Sequence, residues 1–425
     1  MFCASLGGHD FWWGTAASST QSEGAAPAAD WYAWEQAGNA PRSAEGNAFA
    51  RRYAEDFALY AAHGLRHHRL SIEWARIEPR EGKRDAGEID RYRELLTAAH
   101  ATGVTPWVCL HHFTLPGWFQ DERAFLDDKV RGYYWPRHVA FCAETFGDLV
   151  AGWKPINEPV AYAFGGYLMG VNPPGVSDLG KFFDAYRGIL LAQRDAWREL
   201  RGGGAPVATI HNLSPIFAMQ DTPECRRARD TVDDTIWEIW MRADRDGVLA
   251  IPGRAEEEVA DLREACDLIG FSYYSAQGVM PDLSMVPYPS GRPPGPLGYA
   301  PWPEGLGITL RRLHEELPGR PLLLCELGLG TDAANDDDHS RADYLRECLE
   351  IVEEAVRDGV DLRGTFLWTG VDNYEWHHGF DVAFGLFTRD REARLSAEVV
   401  AAFIARGAAS PPDGTTVFGD HPRPR

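Results

Sequence analysis

Two kinds of hydrophobic pattern alternate along the chain. Short β-type runs predict strands at 11–16, 65–72, 104–111 and 153–157, then at 206–211, 267–274, 320–326 and 362–369. Between them lie longer runs with apolar residues at helical spacing, such as Phe49, Tyr53, Phe57 and Tyr60 within 47–63. Similar spacing predicts helices at 89–101, 133–149, 180–201, 223–244, 305–317, 339–357 and 393–406, and an acidic helical stretch at 255–265.

Eight strand-then-helix units in one chain predict an α/β fold, a single (β/α)₈ TIM barrel with long βα loops on its catalytic face. No linker, low-complexity block or charge run divides it, so one catalytic domain is expected over 1–407, with a frayed tail at 408–425. The Pro/Gly-rich segment 280–303 reads as a long loop over the catalytic face. The uncharged run 159–177 reads as a loop with a short helix, and Gly202-Gly203-Gly204 as a turn.

A barrel places chemistry at the C-terminal ends of its strands. The residues there are Gln21, Arg69, His112, Asn157 and Glu158, then Tyr274, Glu326, Trp368, Glu375 and Trp376. Pro159 should end the fourth strand and hold Glu158 in extended geometry. Strands four and seven lie three apart around the ring, so Glu158 and Glu326 should face each other across its mouth. Carboxyl groups about 5–5.5 Å apart are what a retaining glycosidase needs, one as nucleophile and one as acid and then base.

Arg69 closes a buried strand, where an unpaired charge is costly, so a carboxylate partner is expected and Glu326 suits. That pairing, with a hydrogen bond from Tyr274, would keep Glu326 ionised. Glu158, facing that negative charge in a desolvated pocket, should have a raised pKa and act as the acid. In His111-His112, as in His67-His68 and His377-His378, strand alternation separates the two rings, so no metal site is expected. Cys325 should point away from Glu326, into the layer between barrel and helices.

Composition narrows the partners. With 42 Lys+Arg against 63 Asp+Glu the net charge is −21, which argues against nucleic acid and anionic membrane. The 15 Trp, 15 Tyr and 20 Phe are mostly core material, but Trp at a strand tip suits stacking on a sugar face. Seven cysteines, an odd number without Cys-x-x-Cys spacing, argue against a disulfide framework. No signal peptide is visible, so a cytoplasmic location is expected. No cofactor is expected, and the sequence does not give the oligomeric state.

The chain resembles glycoside hydrolase family 1, the β-glucosidase family, from about Phe11 to Phe403. The likeness rests on Phe11-Trp12-Trp13-Gly14 with Gln21-Ser22-Glu23-Gly24, the run 69–77, His112-Phe113-Thr114-Leu115-Pro116 and Asn157-Glu158-Pro159. It continues through Tyr273-Tyr274, Trp302-Pro303-Glu304-Gly305-Leu306, and Trp368 with Asp372-Asn373-Tyr374-Glu375-Trp376 and Phe384-Gly385-Leu386.

The resemblance implies Glu158 as acid/base, Glu326 as nucleophile, and Asn157 on the sugar 2-hydroxyl. It also implies Gln21, His112, Glu375 and Trp376 on the 3-, 4- and 6-hydroxyls, Trp368 as stacking platform and Trp302 on the aglycone side. The implied substrate is a small-molecule β-glycoside. Glu375 stands where relatives acting on phosphorylated sugars carry cationic residues, so a neutral β-glucoside, β-galactoside or β-fucoside is expected. Leu327 and Ser272 replace asparagines usual in the family, and Phe113 a common tryptophan. Transfer of the sugar to an alcohol or natural-product acceptor, and non-catalytic sugar binding, are the competing readings.

Overall fold

The computed structural model describes residues 11–335 and 337–408. Eight strands form its centre: β1 Trp12–Ala16, β2 His67–Ser71, β3 Thr105–His111, β4 Gly152–Ile156, β5 His211–Asn212, β6 Ile269–Tyr273, β7 Leu322–Leu327 and β8 Leu362–Trp368. They run in the order β4-β3-β2-β1-β8-β7-β6-β5, and every pairing is parallel. A parallel bridge between Trp153 and Val207 joins the two edge strands. The sheet is therefore a closed (β/α)₈ barrel.

One helical element returns the chain from each strand: α1 Phe49–Ala62, α2 Ala86–Ala101, α3 Asp128–Phe146, α4 Leu179–Leu200, α5, α6 Glu304–Glu316, α7 Asp338–Arg357 and α8 Leu395–Ala408. Element α5 has two parts, Pro223–Asp233 and Ile239–Asp246, joined by a π-helical turn. Side-chain caps fix where several of these begin. Asp85, Asp127, Asp178, Thr222 and Asp337 each accept a backbone N–H of the first turn of α2, α3, α4, α5 and α7.

Alternation along the strands builds two apolar layers. Outward side chains pack under the helices, as where His68 sits among Phe49, Phe57 and Tyr60 of α1. Inward side chains fill the barrel, including Trp107, Ile210, Leu268, Leu323 and Phe366. The interior is a packed core, so a ligand can enter only at the top.

Four expectations change. The stretch 255–265 is not helical: Glu257–Glu258 pairs with Val248–Leu249, and a short 3₁₀ turn follows at Ala260–Leu262. Arg187 grips Glu257 with two hydrogen bonds of 2.7 and 2.8 Å, which holds this acidic run extended. The segment 280–303 is not all loop. Met285–Tyr288 pairs with Ala276–Val279, and Ile216–Ala218 completes a three-stranded sheet. The fifth strand is a ladder of only two residues flanked by bridges at Val207 and Ala208.

The fourth correction is Cys325, which points into the barrel with Leu323. The β7–β6 pairing shifts between Leu324 and Glu326, a bulge that puts two β7 residues opposite one partner residue. Cys325 and Glu326 therefore both face inward. The tail beyond residue 408, and Cys3, lie outside the described residues.

Candidate active site

The carboxyl groups of Glu158 and Glu326 line one cavity of about 150 Å³ at the top of the barrel. It is also lined by Gln21, His112, Asn157, Tyr274, Trp368, Glu375 and Trp376. Nine of the eleven residues picked from sequence thus meet in one place. A larger cleft of about 420 Å³, between Asp30–Gln36 and Pro173–Pro174, contains none of them.

Arg69 does not line the cavity but lies fully buried, in the middle of β2. Its Nη2 donates to Glu326 Oε1 in a salt bridge. Nη1 donates to His112 Nδ1 at 2.8 Å and to Asn157 Oδ1 at 3.4 Å. The Tyr274 hydroxyl donates to the other Glu326 oxygen at 2.6 Å. Both oxygens of Glu326 are thus acceptors, the bonding of a carboxylate.

Glu158 has the opposite surroundings. Its pKa is pushed up to about 8, first by burial and then by the charge on Glu326; Ser272, Asn212 and Arg69 offset part of the rise. Its Oε1 is buried without a hydrogen-bond partner. The backbone at Glu158 is left-handed, φ 43° and ψ 70°, and not extended as expected from Pro159. A helix begins at Pro159 itself, so the whole turn from strand to helix falls on Glu158. A non-glycine residue held there is strained, as active-site residues often are. Its N–H bonds Ile210 O at 2.9 Å, which ties the turn to β5.

The remaining polar groups form the opposite wall. Gln21 Nε2 donates to Tyr374 O at 3.0 Å and to Glu375 Oε2 at 3.2 Å, while Ser18 holds its carbonyl at 2.8 Å. The pKa of Glu375 also rises to about 8, through burial and then the charges of Glu326 and Glu158. Burial and Arg69 hold His112 well below its usual value. With Nδ1 accepting from Arg69, the neutral ring carries its proton on Nε2, free for a ligand.

Trp368 and His112 stack within 6° of parallel at 5.7 Å, and Trp376 lies within 9° of the His112 plane. The cavity therefore has flat apolar surfaces beside hydrogen-bonding side chains. Among the described residues no cluster of three or more His, Cys, Asp or Glu could hold a metal ion, and no helix is long and apolar enough to cross a membrane.

A sequence model of glycosyl hydrolase family 1 matches residues 7–403. The chain belongs to that family. It is 27% identical over 409 residues to a 1,4-beta-D-glucan glucohydrolase from Thermotoga neapolitana, covering 88% of this chain and 96% of the relative. It is 26% identical over 400 residues to a 6-phospho-beta-galactosidase from Staphylococcus haemolyticus, covering 81% and 85%. A beta-glycosidase from Pyrococcus horikoshii has the same fold, with TM-score 0.85 and 28% identity over 96% of this chain and 99% of that one. The protein is thus a family 1 glycosyl hydrolase, an enzyme of the β-glycosidase type. Relatives with different substrates match almost equally well, so only the site can speak for the sugar.

Trp302 is the other residue that does not line the cavity. It packs on Phe217 and Tyr288. Tyr299 and Leu297, from the same segment, line the cavity in its place, with Phe113 and Phe384. Nothing in the local pattern of 289–303 separates Tyr299 from Trp302. Asn212 was also missed, because a two-residue ladder leaves little alternation to read. Of the two positions where an asparagine is usual, Ser272 lies beside Glu158, whereas Leu327 is buried in the outer apolar layer, on the far side of β7. The bulge at Cys325 is what turns Leu327 away.

Proposed function

We propose that the protein is a retaining β-glycosidase that removes terminal non-reducing β-D-glucosyl units through a glycosyl-enzyme on Glu326. The observation that carries this reading is the contrast between two carboxyl groups in one cavity. Glu326 accepts from Arg69 and Tyr274 on its two oxygens, while Glu158 is buried with a raised pKa and an unpartnered oxygen.

In the first step Glu326 attacks the anomeric carbon, the bond to the leaving group breaks, and Glu158 delivers its proton to the departing oxygen. Glu158, now ionised, then takes a proton from water, which attacks the anomeric carbon and frees Glu326. Asn157, held by Arg69, is placed for the 2-hydroxyl. Gln21 and Glu375 grip neighbouring hydroxyls, His112 donates from Nε2, and Trp368 covers the C–H face. Arg69 fixes Glu326 and Tyr274 completes its hydrogen bonding.

The site suits an uncharged sugar. Among the described residues no Lys or Arg lines the cavity, and the buried Arg69 is already paired with Glu326, so a 6-phosphate would meet no free cation there. The test is a panel of aryl β-glucosides, β-galactosides and β-fucosides, with NMR of the first anomer released. The β-anomer is expected first, from the glucoside; release of the α-anomer ends the retaining assignment. Glu326→Ala should abolish turnover, and added azide should restore it as an α-glycosyl azide. Undiminished activity without azide would remove Glu326 as the nucleophile.

A further inference from the structure

The cleft of about 420 Å³ has no part in the chemistry above, and no residue lines both it and the catalytic cavity. Its walls are the helix Asp30–Gln36, the short helix Gly117–Asp121 and the pair Pro173–Pro174. Backbone pairing sets the first two together. Ala29 bridges Pro116, Gly117 N–H donates to Ala28 O at 2.8 Å, and Asp30 N–H donates to Leu115 O at 2.9 Å. The third wall meets the first at Trp34, since a Cβ on Gly175 would come within 2.8 Å of that ring. From the same helix Trp31 meets Trp376 edge-on at 4.6 Å, so the cleft is a neighbour of the catalytic cavity and separate from it.

Asp30 is the residue that this packing leaves unexplained. It is buried, with 9% of its surface exposed. Oδ1 accepts the N–H groups of Trp31 at 2.7 Å and of Leu115 at 3.0 Å, which accounts for a carboxyl group at the start of the helix. Oδ2 is buried without a hydrogen-bond partner, and so is Oε1 of Gln120 on the second wall. A buried carboxylate left so is costly. Burial, with a smaller push from Glu73, raises the Asp30 pKa to about 7 in spite of the two N–H groups. Among the described residues that line the cleft there is no Lys, Arg or His, and the exposed Asp121 adds a second carboxyl group.

The rest of the lining narrows the ligand. Seven of the twelve lining residues are Ala or Pro, and the half-buried Trp34 leaves part of its ring open. We propose that this cleft is a second binding site, and that its ligand is a protonated amine with a flat apolar body. The ammonium supplies donors to Asp30 Oδ2 and Gln120 Oε1, and the positive charge that the lining lacks. The apolar body lies against the prolines and the open part of Trp34, a ring that also attracts a cation. An anion would find no cation here. A metal ion would find too few ligands, because among the described residues no group of three or more His, Cys, Asp or Glu could hold one. A neutral sugar could bond both oxygens but would leave the carboxylate charge unpaired.

The test is calorimetric titration with benzylammonium at about pH 8.5, above the Asp30 pKa of about 7, beside benzyl alcohol and glucose as neutral probes. Wild type should bind benzylammonium about tenfold more tightly than either neutral probe. Asp30→Asn should weaken that binding about tenfold, and Trp34→Leu about fivefold. Asparagine keeps an oxygen for the two N–H groups, so Asp30→Asn should fold, as read by circular dichroism. Glu375→Gln should leave benzylammonium binding within about twofold of wild type, because that carboxyl group belongs to the other cavity. No saturable binding, neutral probes that bind as tightly, or binding unchanged in Asp30→Asn would each overturn the proposal. So would a loss in Glu375→Gln as large as that in Asp30→Asn, which would put the amine among the catalytic carboxyl groups. If Asp30→Asn does not fold, Trp34→Leu decides: a fivefold loss keeps the site and unchanged binding removes it.

Discussion

Glu158 concentrates several requirements on one residue. Burial raises its pKa from 4.5 to about 8, which keeps a proton ready at neutral pH. The basic limb of kcat/KM should therefore fall near pH 8, where the proton is lost. Glu158→Gln should remove that limb and slow turnover of poor leaving groups by about 10²–10⁴-fold. A dinitrophenyl glycoside, whose leaving group needs no proton, should keep most of its first-step rate. Stability follows the same proton. The folded state holds it more tightly than the unfolded chain between pH 4.5 and about 8, so this carboxyl contributes stability at low pH and loses it as pH rises through that window. Melting curves of wild type and Glu158→Gln should thus diverge in favour of the variant as pH rises from 4.5 to 8.

Strands β4 and β7 carry the two carboxyl groups, and each holds a residue that looks out of place. Lys154 on β4 points into the barrel, with Nζ 3.5 Å from the centre of the Phe366 ring and 5.1 Å from that of Trp107. Burial lowers its pKa to about 8, and the Cys325 thiol offsets part of that. The cation–π contacts recover only some of the desolvation cost. Lys154→Met should stabilise the fold by about 1–3 kcal/mol at pH 7, as measured by urea unfolding. The gain should shrink as pH rises from about 8 to 10.5, because the unfolded wild type binds the proton that the folded one has released. On β7, Leu327 stands where an amide is usual, yet it packs among the helices. Leu327→Asn should cost about 1–3 kcal/mol by burying an unsatisfied amide, and leave the ratio of kcat/KM values between aryl glycosides unchanged. A changed ratio would place residue 327 in the site after all.

At the scale of the whole molecule, the barrel is least complete between β4 and β5. The β4–β5 seam is held by a bridge and by bonds such as Trp153 N–H to Pro206 O at 2.8 Å and Ala208 N–H to Trp153 O at 2.8 Å, with no continuous ladder. Among the barrel strands, residues 208–212 should exchange their amide hydrogens first, ahead of β1, β2 and β3. A glycone analogue that orders Asn212 and Glu158 should slow this exchange more than that of β1. Equal protection of all eight strands would contradict the weak seam.

The sequence by itself determined the barrel and most of the site. Eight alternations of period are long-range information, and a strand end is a local feature: Glu158, Glu326, His112 and Trp368 could each be found from the residues beside them. The pairing of Arg69 with Glu326 was also legible, because a buried guanidinium without a carboxylate is too costly to keep. Tertiary structure decided the rest. A bulge at Cys325 reset the alternation of β7, turning Glu326 inward and Leu327 outward. The left-handed turn at Glu158 came from a helix that starts at once and from the bond to Ile210 O. The choice of Tyr299 over Trp302 as a cavity wall depends on how a three-stranded sheet folds back beside the barrel mouth. Pairings between residues far apart in the chain set all three, and a pattern of hydrophobic positions records only which face of its own element a residue prefers.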